Sequence, residues 1–260
     1  MQVSSCATKN NSVDPQESFN RKIYAFNNVV DSLALKPAAV VYTHITPPFV
    51  RDGVHNVFNN INEVTDISND LLQGKLTFAA NDSLRLLVNS TWGIGGTIDV
   101  AQSFNLPPHD EDFGLTLATW SGEPNSTFFV FPILGPSTNR DAVGSLFDLF
   151  VFSAWPYFIP KNIYYPLLIT WAIDKRAQLL PADQLIQQSF DPYIFIRDAY
   201  TTMRLQEIKD NKLTYQQYLQ NFINHRNPAN ADTTDDSVTV ANDNKANTKN
   251  ADDDSVIVVG

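Results

Sequence analysis

The sequence predicts a mostly α-helical protein, a fold class that rests on three observations. Apolar residues recur every three or four positions through several segments. Strand-like alternation is confined to Phe128–Ile133 and little else. The breaks between apolar stripes fall at Pro and Gly, where helices start and stop. At 260 residues the chain is long enough for one large domain or two small ones with a sizeable core.

In order along the chain, residues 1–13 form a short polar leader. Asp14, Pro15, Gln16 and Glu17 then read as a helix start, with a capping carboxylate, a proline at the first helical position and an acid in the first turn. Phe19, Ile23, Phe26, Val30 and Leu33 follow as one apolar stripe. Val50, Val54, Val57, Phe58 and Ile61 repeat the pattern after Pro47 and Pro48, as do Val64, Ile67, Leu71 and Leu72 before Gly74. A further stripe, Leu76, Ala80, Leu84, Leu87 and Val88, runs to Trp92 and stops at Gly93. The helical body extends over residues 14–226. Residues 227–260 hold seven Asp and two Lys with no aromatic residue, the composition of a disordered acidic tail.

Between Leu149 and Ile173, twenty-five residues carry a single charge, Lys161. The stretch includes Phe150, Phe152, Trp155, Tyr157, Phe158, Tyr164, Tyr165 and Trp171. It is long enough to span a bilayer, but Pro156, Pro160 and Pro166 each remove a backbone donor that hydrocarbon cannot replace. Two readings remain: helices lying in a membrane interface, where Trp and Tyr suit the headgroup level, or the aromatic core of a soluble helical protein.

The chemistry that can be excluded is broad. Eighteen basic against 28 acidic residues, a net charge of -10, disfavours nucleic acid and any polybasic attachment to anionic lipid. Half of that negative charge lies in the tail. One cysteine rules out an intramolecular disulfide, a Cys-rich zinc site and a CxxC pair. There is no GxSxG elbow, Walker lysine or HExxH. Gly93, Gly95 and Gly96 lack dinucleotide spacing and read as a helix stop and tight turn. His44, His55 and His225 are scattered. His109, Asp110, Glu111 and Asp112 form a dense polar cluster with the chemistry for a divalent metal or a general base. Consecutive loop residues cannot all converge on one ion, so the expectation is a loop that caps the next helix, with no metal and no cofactor.

The segment from Phe113 to Gly144 is punctuated by Gly114, Gly122, Gly135 and Gly144 with Pro124, Pro132 and Pro136. These flank a charge-free run containing Phe128, Phe129 and Phe131, the pattern of a gating loop with joints at either side. A static hairpin packed on the core is the alternative. At the N-terminus, Val3, Ser4 and Ser5 precede Cys6 as in a bacterial lipobox, a small-residue cleavage site ending in the cysteine that is acylated. A free cysteine in a flexible leader is the other reading. The charged and apolar regions of a signal peptide are not among these residues, so the chain is expected to begin near a processing site. Ala7 is not the aspartate that retains lipoproteins in an inner membrane.

Eight segments in order carry a resemblance to a known family: DPQESFNRKIYAFN at Asp14–Asn27, NVFNN at Asn56–Asn60, LLQGK at Leu71–Lys75, NSTWGIGGTIDVA at Asn89–Ala101, HDEDFGLTLATW at His109–Trp120, FPILGPSTNRDAVG at Phe131–Gly144, RAQLL at Arg176–Leu180 and DPYIFIRDAY at Asp191–Tyr200. Over nearly all of its folded length the chain resembles the MlaA/VacJ outer-membrane lipoproteins of Gram-negative bacteria. The resemblance implies a ring of amphipathic helices in the periplasmic leaflet around a central polar pore, anchored through lipidated Cys6. It further implies removal of mislocalised phospholipid from the outer leaflet, transfer to a periplasmic lipid chaperone, and association with trimeric porins. No enzymatic activity is implied. The competing classes are a lipoprotein hydrolase using His109 with Asp110 or Asp112, and a purely structural porin partner.

Overall fold

The structure is a computed structural model that describes residues 13–152 and 160–226. The expectations for Cys6, for Trp155, Tyr157 and Phe158, and for the acidic tail lie outside the described residues. The chain forms two compact units, residues 1–215 and 216–260. Of the second, the described part is the helical segment up to Arg226.

The first unit opens with α1 (Glu17–Val30), which runs through a π-helical turn, Asp31–Leu35, into α2 (Lys36–Ile45). Pro37 explains the turn. Its ring would collide with the carbonyl four residues earlier, and the wider π turn relieves that crowding without ending the helix. The two predicted stripes from Val50 to Leu72 belong to one helix, α3 (Pro48–Gln73), which ends at Gly74 with φ 75°. It packs extensively on α4 (Leu76–Thr91). After α5 (Phe113–Ser121), β1 (Phe128–Phe131) and β2 (Gly135–Thr138) form an antiparallel hairpin with Phe128 opposite Thr138 and Phe131 opposite Gly135. The remaining α-helices among the described residues are α6 (Asn139–Phe147), α7 (Lys161–Leu179), α8 (Asp183–Gln188), α9 (Pro192–Asp210) and α10 (Tyr215–Arg226).

The predicted cap at Asp14 is corrected by the structure. α1 begins at Glu17, and Asp14 is buried, accepting hydrogen bonds from Asn20 Nδ2 at 2.8 Å and from the Tyr193 hydroxyl. A partner 179 residues away holds the carboxylate inward, so it never reaches the α1 amides.

The helices are inverted relative to those of a water-soluble protein. The buried residues of α3 are Phe58, Asn60, Glu63, Thr65, Asp66, Asn69 and Asp70. Those of α4 are Phe78, Ala79, Asn81, Asp82, Arg85 and Asn89. On their opposite faces Leu71, Leu76, Leu84 and Leu87 are exposed, Leu87 at 61%. Among the described residues, buried apolar side chains gather in small clusters such as Phe128, Val130 and Tyr193, and Leu115, Ala118 and Ile208, with Phe113, close to Leu115 in sequence, stacked on Phe147. No helix among the described residues is long and apolar enough to cross a membrane. In the charge-poor stretch, Phe150 and Tyr165 are well exposed, whereas Phe152, Tyr164 and Trp171 are half-buried.

Candidate functional site

The site is the buried polar face itself. On α3 the residues Asn56, Asn60, Glu63, Asp66, Asp70 and Gln73 follow helical spacing, and on α4 so do Asp82, Arg85 and Asn89, so each helix presents a continuous polar stripe. Arg85 organises one end. Its Nε donates to Glu63 at 2.8 Å, NH1 to the Leu106 carbonyl at 2.8 Å and NH2 to Asp99 at 3.1 Å. Burial outweighs the attraction of Arg85 and pushes the Glu63 carboxyl up to about 8. Asp66, which accepts from the Glu111 amide at 2.9 Å, is also raised by burial.

At the other end, Asn69 Nδ2 donates to Asp148 at 3.0 Å, and Asp148 also accepts from the Phe113 amide at 2.9 Å. Lys75 reaches Glu111 at 2.7 Å and also bonds Asn211. Between the two ends lie Asp70, Asp82 and His109. His109 Nδ1 is 3.4 Å from Asp82 and 3.7 Å from Asp70. Burial disfavours the imidazolium, but these carboxylates prevail and push His109 up to about 9. A second polar centre lies where α5, α6 and α9 meet. Arg204 pairs with Asp112 at 2.7 Å and with Asp141 and Glu207 at 2.9 Å each. Tyr200 donates to Asp141 at 3.0 Å.

The 109–112 cluster separates as loop geometry requires. His109 and Glu111 turn inward, Asp110 faces solvent, and Asp112 caps α5 by accepting from the Leu115 amide at 2.8 Å. Two surface grooves, of about 890 and 480 Å³, are lined by other residues. The convergence a hydrolase would need is therefore lacking at His109, Asp110 and Asp112.

The seven candidate gating residues divide into two kinds. Gly114 and Gly144 lie inside α5 and α6, where a Cβ on Gly144 would come within 2.4 Å of the Gly114 amide nitrogen, so they permit a close helix crossing. Gly122, which ends α5, and Gly135, which opens β2 after the hairpin turn, adopt φ of 71° and 92°, as joints do. Phe128 is buried, and Phe129 stacks on Phe19 with ring centroids 6.1 Å apart. Two asparagines of α1 hold the hairpin edge. Asn20 accepts from the Val130 amide at 3.2 Å and donates to the Phe128 carbonyl at 3.3 Å. Asn27 accepts from the Ile133 amide and donates to the Phe131 carbonyl, both at 2.7 Å.

Sequence reasoning centred on apolar stripes missed Glu63, Asp66, Asp70, Asp82, Arg85 and Arg204. A signal was present: short Asn and Asp side chains recur at the helical period in the middle of long helices, where their propensity is poor.

Helices that hide polar side chains and present Leu, Phe and Trp define a protein whose outer surface meets hydrocarbon rather than water. The model of the MlaA lipoprotein family matches residues 12–207, and the chain belongs to that family. It is 36% identical over 200 residues to the intermembrane phospholipid transport system lipoprotein MlaA of Escherichia coli, covering 72% of this chain and 75% of that one. With the protein of the same name from Haemophilus influenzae the identity is 32% over 209 residues, covering 77% and 81%. An uncharacterised protein of Rickettsia felis is 33% identical over 210 residues, covering 80% of each. A solved structure concerned with maintenance of bacterial outer membrane lipid asymmetry superposes with a TM-score of 0.63 at 32% identity, covering 75% of this chain and 98% of that chain. This is a family of membrane-associated lipoproteins, not of enzymes.

Proposed function

We propose that the chain is an outer-membrane lipoprotein of the periplasmic leaflet that removes mislocalised phospholipid from the outer leaflet. The lipid passes along a polar path and on to a periplasmic lipid-binding chaperone, and the protein works in association with trimeric porins. The observation that carries this reading is the inverted burial of α3 and α4. A zwitterionic headgroup crossing hydrocarbon loses its hydration, at a cost of several kcal/mol per unsatisfied polar group, and a wall of Asn, Asp and Arg side chains replaces those lost partners. The relatives named as phospholipid transport lipoproteins support the same cargo. Transport down a chemical gradient needs shape and wetting, which fits a chain without a nucleotide-binding motif.

The anchor is Cys6, acylated after processing. One chain binds marginally and several bind durably, at about 0.8 kcal/mol per buried methylene. Of the candidate membrane-interface residues that are described, Phe150 and Tyr165 present the most surface to lipid, and Phe152, Tyr164 and Trp171 present part of theirs. The moving part is the hairpin tip, from Pro132 to Gly135, with Gly135 as its joint; Phe128 at the base stays fixed, and Gly122 lies on the far side of that fixed point. Strain favours the tip as the moving part, because Ile133, a β-branched residue, is held at φ 71°.

The test uses a Gram-negative host lacking its own family member. Expression of the full precursor should restore low outer-leaflet phospholipid, measured by surface labelling of phosphatidylethanolamine, whereas Cys6→Ser should not. Undiminished clearance by the Cys6→Ser precursor would remove the anchor, and absence of clearance by the correctly sorted parent protein would remove the function.

A further inference from the structure

We propose that Asp70, Asp82 and His109 bind one divalent transition-metal ion of the Zn²⁺ class, which clasps α3, α4 and the loop before α5 together. One nitrogen of His109 and one carboxylate oxygen from each aspartate lie within 4.8 Å of one another. His109 Nδ1 is 3.4 Å from Asp82 Oδ2 and 3.7 Å from Asp70 Oδ2. Ligands sitting about 2.0–2.2 Å from a common ion are separated from each other by roughly 3–4 Å, so only small side-chain shifts would close the site.

Asp70 is the independent observation. Its side chain is fully buried, with 0% exposure, and it points at His109. Neither of its carboxylate oxygens has a hydrogen-bond partner among the described residues. A buried carboxylate whose nearest cation is an imidazole 3.7 Å away, beyond hydrogen-bond reach, is costly, and a metal ion is the partner that both oxygens can accept at once. The other two ligands are already oriented. Asp82 Oδ1 accepts from Asn81 Nδ2 at 2.8 Å, and Asn81 is itself held by the Pro107 carbonyl and the Tyr215 hydroxyl. His109 Nε2 faces Glu111 at 3.6 Å, the outer carboxylate that favours the Nε2–H tautomer and leaves the Nδ1 lone pair for the ion. Phe78 covers the imidazole ring, with centroids 4.3 Å apart.

Charge balance points the same way. The carboxylates of Asp70, Asp82 and Glu111 are buried here with Lys75 as the facing cation, while burial favours the neutral form of Asp66, the adjoining Arg85 is committed to Glu63 and Asp99, and Asp110 lies at the surface. A protonated His109 supplies one positive charge and a single Nδ1–H to share between two aspartates. A divalent ion supplies two charges and reaches both. Two carboxylates and one imidazole suit Zn²⁺, Fe²⁺ or Mn²⁺ rather than the thiolate-seeking ions. This proposal is separate from the transport reading, because the ion would stabilise the polar interior whatever passes along it.

The test is metal binding by the purified full chain in detergent, stripped with a chelator and dialysed against metal-free buffer. Equilibrium dialysis should return one Zn²⁺ per chain, the melting temperature should rise on loading, and Co²⁺ should give visible d–d bands of a low-symmetry site. Asp70→Asn, which keeps shape and removes charge, should weaken Zn²⁺ binding at least tenfold, and His109→Gln should abolish the Co²⁺ bands. If either variant fails to fold, the parent protein still decides. Absence of a stoichiometric Zn²⁺ and of Co²⁺ bands would overturn the site in favour of a bare imidazolium. Co²⁺ bands that survive in a folded Asp70→Asn, Asp82→Asn double variant would assign the metal elsewhere and overturn it equally.

Discussion

The α3–α4 pair and the β-hairpin bury opposite chemistry within one chain. In the hairpin, Phe128 and Val130 turn inward onto Tyr193 and partly buried Ile23 and Ile194, as in a water-soluble core. In α3 and α4 the inward face carries Asn69, Asp70, Asp82 and Arg85, and Leu84 and Leu87 face out. Both regions show clean periodicity, so amphipathicity alone does not set which face is buried. The solvent outside does. Where the exterior is hydrocarbon, the exposed apolar face costs nothing and every buried polar group must find its partner inside.

The largest expected effect comes from breaking the polar side of this comparison. Arg85→Met should destabilise the protein by about 3–5 kcal/mol, because buried Glu63 and partly exposed Asp99 lose their shared cation and the Leu106 carbonyl loses a donor. Phe128→Ala should cost a comparable amount for the opposite reason, a cavity left in an apolar cluster. Denaturation in detergent measures both. A neutral Arg85→Met would mean that the Arg85 network does not hold the α3–α4 pair together.

Acidity sharpens the same contrast. The Glu63 carboxyl has its ordinary value of 4.5 raised to about 8 in the fold, chiefly by burial. A raised carboxyl favours the fold fully at pH below 4.5, and that contribution is lost as pH climbs to about 8, where the folded protein must at last ionise it. Melting temperature should therefore fall across this window, and Glu63→Gln should flatten the fall. A parallel slope in the variant would show that Glu63 is not the titrating group. The hairpin cluster contains no such group and supplies no slope.

How much of this was legible follows from which interactions are local. The helix end at Gly74, the turn through Gly95 and Gly96, and the cap in the loop before α5 depend on neighbours within a few residues, and composition reveals them; Gly122, which reads only as a joint, ends α5. Asp14 looked like a cap because its local pattern is that of one, but its partner, Tyr193, lies on α9. The triad of Asp70, Asp82 and His109 draws one residue from each of three elements, so no spacing rule could collect it. The two stripes of α3 were read without deciding whether the helix is continuous, since no Gly or Pro falls between Ile61 and Val64 to mark a break.

The hairpin can be divided further by crosslinking in a background with lipidated Cys6. A short thiol-reactive bridge between cysteines at Phe19 and Phe129, whose rings already stack, should leave phospholipid clearance intact, because it fastens a base that Asn20 already holds. A disulfide between cysteines at Asn27 and Ile133 fastens the tip, where a hydrogen bond of 2.7 Å joins them, and should reduce clearance until it is reduced. Full clearance with the tip bridged would make the hairpin a fixed wall.

The smallest expected effect on stability tests the outer face directly. Leu84 and Leu87 are half or more exposed on α4, and in water their replacement by Gln would change stability by no more than a few tenths of a kcal/mol. In a lipid-facing helix the same substitutions leave the folded contacts intact but place two amides in hydrocarbon. The Leu84→Gln, Leu87→Gln protein should melt within about a degree or two of the parent in detergent, whose headgroups and water reach the amides, as expected for surface changes of this size. Its partition into phosphatidylethanolamine-rich vesicles should nonetheless fall tenfold or more, since fully burying an apolar side chain contributes about 1.5–3 kcal/mol and about half of each of these two is open to lipid. Matching Gln substitutions at Phe128 and Val130 should do the reverse, unfolding the hairpin with little direct effect on partition of the protein that remains folded. Equal partition of the α4 variant and the parent would mean that this face meets a protein partner rather than lipid.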